Sequence, residues 1–286
     1  MNLSTVLSKR ADVEAVLNSL RFNPISKCVE SASGPTAALR DGMARFSSSD
    51  RHPERRLAVI DELAKLDIDT ACEVARRRTE MLFVGQPVEV VSAIAFRIPS
   101  EVLSVLLDLP SASSEVIEDL LEIVRVIGRG ERLTNACDLA VERMLERCST
   151  GARDAISVIS LLYQNFDATA SLVINTIVAN HLKLERVSAV KQTLRIARAD
   201  NAIGGTHFKK DDIVRLDLAA AGFEFGAGPH HCPGRVLAES ICRGITDAVT
   251  SSGCELDFAN AMFNDDEVPI SLLLTPTGLP RGEVSL

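Results

Sequence analysis

Residues 151–183 constrain the fold of this chain more than any other stretch. Ile156, Ile159, Leu161, Leu162, Leu172, Val173, Ile177 and Val178 recur there at helical spacing, yet they fall on several sides of the helix. A helix that is apolar all round cannot lie on a surface. It has to run through the middle of a core, with other elements packed about it.

The rest of the chain supplies those elements. A helix is predicted over 11–21, with Val13, Val16, Leu17 and Leu20 on one face. A stretch over 30–50 reads as a loop holding a short helical piece. Another helix follows Asp50 or Arg51, with Pro53 in its first turn and Leu57, Ile60, Leu63 and Ala64 on its apolar side. Asp69 is placed to cap a helix over 70–83, and Ser100 to cap a short one ending near Leu109 and Pro110. Val88 to Phe96 reads as strand or helix on composition alone. Further helices are predicted over 114–127 and 131–148, with Gly128 and Gly130 between them. After Leu184 the texture becomes that of strands. Ile203-Gly204-Gly205 and Ile213 to Leu216 suggest a hairpin, and Ile270 to Leu274 with Gly282 to Leu286 suggest a second. No internal repeat, low-complexity tract or interdomain linker interrupts the pattern. The expectation is a mainly α, single-domain protein over residues 1–286 with a small β portion.

The totals narrow the function classes. A chain of 286 residues, 46% hydrophobic, can bury one substantial core. Its net charge of −8 argues against a nucleic-acid partner. Cys28, Cys72, Cys137, Cys148, Cys232, Cys242 and Cys254 are odd in number and show no zinc spacing, which reads as reduced thiols in a cytoplasmic protein. No stretch has a signal peptide's layout or the length to span a membrane.

The chemistry concentrates between Phe223 and Arg243. Phe225, Gly228, His230, Cys232 and Gly234 stand at the spacing F-x-x-G-x-H-x-C-x-G, and a helix begins at Arg235 with Val236, Leu237, Ile241, Ile245 and Val249 on its apolar face. A cysteine just before a helix meets unpaired N–H groups and the positive end of the helix dipole, which favour the thiolate. Thiolate is one of the few protein ligands to heme iron. A lone cysteine in a Gly-Pro turn reads otherwise, as a buried free thiol.

With these five positions the chain resembles the cytochrome P450 superfamily, the heme-thiolate monooxygenases. The resemblance implies a helical fold, helix rather than strand at 88–96, and heme b ligated by Cys232, with Phe225, Gly228 and Gly234 shaping its loop. It also implies cations at the heme propionates. His52 and Arg56, at i and i+4 on one helix face, match the family's H-x-x-x-R, and His230 and Arg195 stand where relatives place further propionate partners. Singly, Arg56 and Arg195 read equally as solvated or acid-paired arginines, and His52 as a surface cap.

On the long helix, Gln164-Asn165-Phe166-Asp167-Ala168-Thr169 matches the family's A/G-G-x-D/E-T, whose acid and alcohol deliver protons to bound oxygen. Asp167 holds the acid position, Ala168 takes the place of the alcohol, and Thr169 comes one residue late, a rotation of about 100°. The family's E-x-x-R pair is absent, since Lys183 stands three before Arg186, and no meander separates Gly222 from Phe223. The segment around 110–150 is short as well. A shortened member of this kind is expected to expose apolar surface and form homo-oligomers. The implied activity is monooxygenase, peroxygenase or atypical heme chemistry on a small molecule in specialised metabolism, with a ferredoxin-type electron donor or peroxide. A non-catalytic helper, for example of a glycosyltransferase, and a heme-based sensor are the alternatives.

Overall fold

The computed structural model describes residues 3–25, 33–47, 50–109, 114–149, 153–184, 190–264 and 269–277. The chain opens with strand β1 (Leu3–Leu7), helix α1 (Arg10–Asn18) and strand β2 (Phe22–Pro24). Helices α2 (Pro35–Gly42), α3 (His52–Leu63) and α4 (Ile68–Glu80) follow. Strand β3 (Val88–Glu89) leads through a π-helical turn, Val90–Phe96, into α5 (Arg97–Leu106). Then come α6 (Ser114–Ile123), α7 (Asn135–Cys148) and the central α8 (Ala155–Leu182). Strands β4 (Gln192–Ala197), β5 (Asn201–Ile203), β6 (Thr206–Phe208) and β7 (Ile213–Asp217) precede the short α9 (Leu218–Ala221). Helix α10 (Arg235–Ser251) and strands β8 (Cys254–Phe263) and β9 (Pro269–Pro276) complete it.

Helix α8 is the axis that the sequence demanded. Its 28 residues are capped at the start by Asp154, whose carboxylate accepts from the Ser157 backbone N–H at 2.9 Å, and at the end by Lys183 in a left-handed conformation. It packs against α3, α5, α7 and α10. The buried side chains form two clusters. The larger is built on α4, α5, α6, α7, α8 and α10. The smaller joins α1 to the sheet β1-β7-β4-β2 and to Leu218, Ala221 and Phe223.

Several expectations need correction. Helix α1 stops at Asn18, so Leu20 is 72% exposed and does not share its buried face. Asp67, not Asp69, caps α4, accepting from the Asp69 and Thr70 N–H groups. Ser100 lies inside α5 and donates to the Phe96 carbonyl instead of capping. Thr134 caps α7, so that helix starts later than 131. Residues 88–96 hold both a short strand and a helical turn. Strand β7 pairs with β4 antiparallel and with β1 parallel, while β5 and β6 close a hairpin of their own around Gly204-Gly205. Strand β9 pairs with β8 and β3. Its expected partner at 282–286 and the position of the E-x-x-R test at Arg186 lie outside the described residues.

The face of α3 is the largest departure. Leu57 is 58% and Ile60 36% exposed, while His52, Val59 and Glu62 are buried. The inward stripe is His52, Arg56, Val59 and Leu63, and it lines a cavity. A helix bordering a cavity with basic groups in its wall turns its cations inward, and hydrophobic periodicity then points to the wrong side.

Candidate functional site

A cavity of about 230 Å³ opens between the two clusters. Leu17, Val190 and Leu218 border it from the smaller cluster, and Leu103, Leu161, Leu172 and Leu237 from the larger. Helix α8 presents Leu161, Asn165, Ala168, Thr169 and Leu172, positions spaced three or four apart. Asn165 leaves its amide Nδ2 buried without a hydrogen-bond partner.

The cysteine loop forms another wall. It leaves α9 through Gly222 and reaches Phe225, Gly226, His230, Cys232 and Gly234, all of which border the cavity. The Cys232 N–H donates to the Phe225 carbonyl at 2.8 Å, closing the loop across its neck. Gly228 has a φ of +59, a backbone conformation that favours glycine, and a Cβ there would also displace the Asn18 side-chain amide. Gly234 is different. A Cβ there would meet nothing nearer than Leu63 at 3.9 Å, so the protein alone does not require glycine. Its place on the cavity wall leaves open space beside the cysteine.

Five basic side chains converge on the same space: Arg45, His52, Arg56, Arg195 and His230. The His52 and His230 rings lie 4.4 Å apart. Arg56 Nη2 donates to the His231 carbonyl at 2.6 Å, bracing α3 against the loop. Arg195 is 6% exposed; its Nη1 donates to Thr193 Oγ1 at 2.8 Å and to the Leu194 carbonyl at 2.9 Å, but its Nε is buried with no partner. Burial, with Arg45 nearby, pushes the Arg195 pKa down to about 10. Burial and the surrounding cations push His230 down to about 3. Burial, Arg56 and Arg195 lower His52 in the same sense. Among the described residues Glu224 is the one carboxylate that lines it.

Such a set is costly without anions. A buried arginine with an orphaned donor is stabilised by a carboxylate ligand that takes up that donor. A ligand with two carboxylates on a flat apolar body would answer the cations, the orphaned Nε and the open space at Gly234 together. The residues present therefore fit a heme. Cys232 itself departs from the expectation of a favoured thiolate. Its sulfur accepts from the Gly234 N–H and feels Arg56 and Arg45, but burial is the larger effect and pushes the thiol up. A metal cation at that sulfur reverses the balance. Among the described residues no cluster of three His, Cys, Asp or Glu offers an alternative metal centre.

The remaining sequence-predicted residues separate. Thr169 is 3% exposed and borders the cavity. Asp167 does not border it: its carboxylate is half exposed and takes Arg129 Nη2 at 2.9 Å. Arg45 was missed by sequence reasoning. It is a single arginine inside a short 3-10 turn, Ala44–Phe46, and nothing in its neighbours marks it.

No family model matches the chain, and no curated protein matches it. Solved structures do. P450BioI, crystallised with an acyl carrier protein ligated to hexadec-9Z-enoic acid, aligns at a TM-score of 0.75 and 17% identity over 94% of this chain and 91% of that one. CalO2 aligns at 0.77 and 17% over 95% and 90%. The open form of cytochrome P450 EryK from S. erythraea aligns at 0.73 and 17% over 97% and 91%. The fold is that of the cytochromes P450. In this P450 fold, α8 is the central helix and the loop before α10 carries the one cavity-lining cysteine among the described residues. No helix among the described residues is long and apolar enough to cross a membrane.

Proposed function

We propose that this chain binds heme b through Cys232 and carries out oxidative chemistry on a small molecule. The observation that carries the reading is the meeting of Cys232 with five basic side chains around one cavity, one of them holding a buried, unpartnered donor. Cys232 would ligate the iron, and Arg45, His52, Arg56, Arg195 and His230 would hold the propionates. Bound there, the heme would supply oxidative chemistry at iron, using electrons from a ferredoxin-type protein or peroxide in their place.

The chain's own residues do the rest. Leu103, Leu161, Ala168 and Leu172 exclude water from the reacting face and receive the apolar part of a substrate. Thr169 brings the hydroxyl on that face, and Gln164 and Asn165 bring amides that hold a water or a polar substrate group. Proton handling rests on the Thr169 hydroxyl, because Asp167 is engaged by Arg129 outside the cavity lining. Structural neighbours hold erythromycin B and epothilone B, in keeping with a role in specialised metabolism.

The placement of Asp167 also favours a second reading without turnover: a heme-based sensor, or a non-catalytic helper of another enzyme such as a glycosyltransferase, which would work without heme. An absorption spectrum of the purified protein, oxidised and then reduced under CO, tests the first claim. A strongly red-shifted Soret band supports thiolate-bound heme. A chain that takes up no heme on reconstitution overturns it. Cys232→Ala separates enzyme from helper, since an enzyme loses activity and a helper still activates its partner.

A further inference from the structure

The loop that carries Cys232 is held from two sides. Its outgoing limb runs into α10, part of the larger cluster. Its incoming limb, with Phe223 and Ala227, packs in the smaller cluster against α1. Two polar side chains of α1 reach that limb. Arg10 Nη1 donates to the Ala221 carbonyl at 3.1 Å, and its guanidinium lies 4.4 Å from the centre of the Phe223 ring. Asn18 Oδ1 occupies the space that a side chain at Gly228 would need. Ala221 is the last residue of α9, where carbonyls have no helical partner, and a guanidinium supplies one.

From Phe223 the backbone passes position to the cysteine in two steps. The Phe223 carbonyl accepts from the Gly226 N–H at 2.8 Å, which folds the chain back. The Phe225 carbonyl then accepts from the Cys232 N–H at 2.8 Å. Whatever fixes Phe223 therefore fixes the carbonyl that holds Cys232.

We propose that Arg10 is a positioning residue for Cys232. By pinning Ala221 and Phe223 it sets where the sulfur stands in the cavity, without touching the reacting centre. Arginine suits the task because its planar fork donates a hydrogen bond and covers an aromatic face at once, which a lysine ammonium does less well. The role in ligation rests on the heme reading; the geometry does not. Arg10 is itself exposed, so its loss opens no core and the variants are expected to fold.

The test uses heme-free full-length protein, native, with Arg10→Ala and Arg10→Lys beside the parent. Iodoacetamide labels the thiols, and peptide mass spectrometry reads each cysteine. Arg10→Ala is expected to raise the labelling rate of Cys232 about fivefold through local opening of the loop, with Arg10→Lys in between and Cys137 and Cys148 unchanged. In heme-loaded protein the same variant is expected to increase the share of reduced CO complex absorbing where neutral ligation does. Unchanged Cys232 labelling overturns the proposal. An equal rise at Cys137 and Cys148 overturns it too, because Arg10 would then serve overall stability only. A parent protein that binds no heme defeats the proposed function but leaves the labelling result intact.

Discussion

At the scale of single residues, Arg195 carries the strongest statement about the site. It is a buried cation on a strand, with one donor unused and no carboxylate bonded to it. Burying a charge with incomplete partners works against folding, and replacing it by a hydrocarbon of similar reach is often neutral or better. Arg195→Leu is therefore expected to leave the heme-free chain within about 1 kcal/mol of the parent, or more stable, in urea unfolding. Heme titration should show the opposite trend, an affinity lower by about tenfold or more, since charge-assisted hydrogen bonds to a carboxylate are lost. A variant that is much less stable without heme and binds heme normally would show that Arg195 is structural. The sequence pointed to Arg195, His52, Arg56 and His230 because family spacing marks each of them. It left out Arg45 and Arg10, whose roles arise only where distant segments meet; the Arg10 contact joins residues 211 apart.

At the scale of elements, α4 and α10 pack backbone against backbone at Gly244. A Cβ on Gly244 would come 2.2 Å from the Cys72 carbonyl oxygen and 3.0 Å from Ala75 Cβ. Backbone atoms cannot step aside cheaply, so Gly244→Ala is expected to cost about 1–3 kcal/mol, read as a lower urea midpoint. A neutral result would mean that the helices separate more easily than their contact implies. Helix α10 was legible in the sequence, as was α8, because an apolar stripe or an all-round apolar surface leaves a regular trace at 3.6-residue spacing. Helix α3 was located correctly but turned wrongly. Its Leu57 and Ile60 imitate a core face, whereas the actual inner face is built from groups that meet the cavity. The strands were harder to read because partner choice depends on contacts between distant segments. Ile213 to Leu216 look ready for a local hairpin and instead pair with β1 and β4.

At the scale of the whole molecule, the cavity lies along the boundary between two buried clusters, and residues of both line it. A ligand filling that boundary ties the clusters together, and a ligand that binds only the folded state adds about 2.7 kcal/mol when present at one hundred times its dissociation constant. Hydrogen exchange with and without heme is expected to show added protection in α1 as well as in α8. Protection confined to α8 would mean that the smaller cluster does not depend on what the cavity holds. The same layout has a consequence for synthesis. Strand β1 pairs with β7, and the first turn of α1 rests on Ala221, so during synthesis β1 and α1 wait for these partners until β7 and α9 have emerged. A nascent chain halted just after α9 would therefore join β1 and α1 to the sheet while the cavity wall still lacked Cys232.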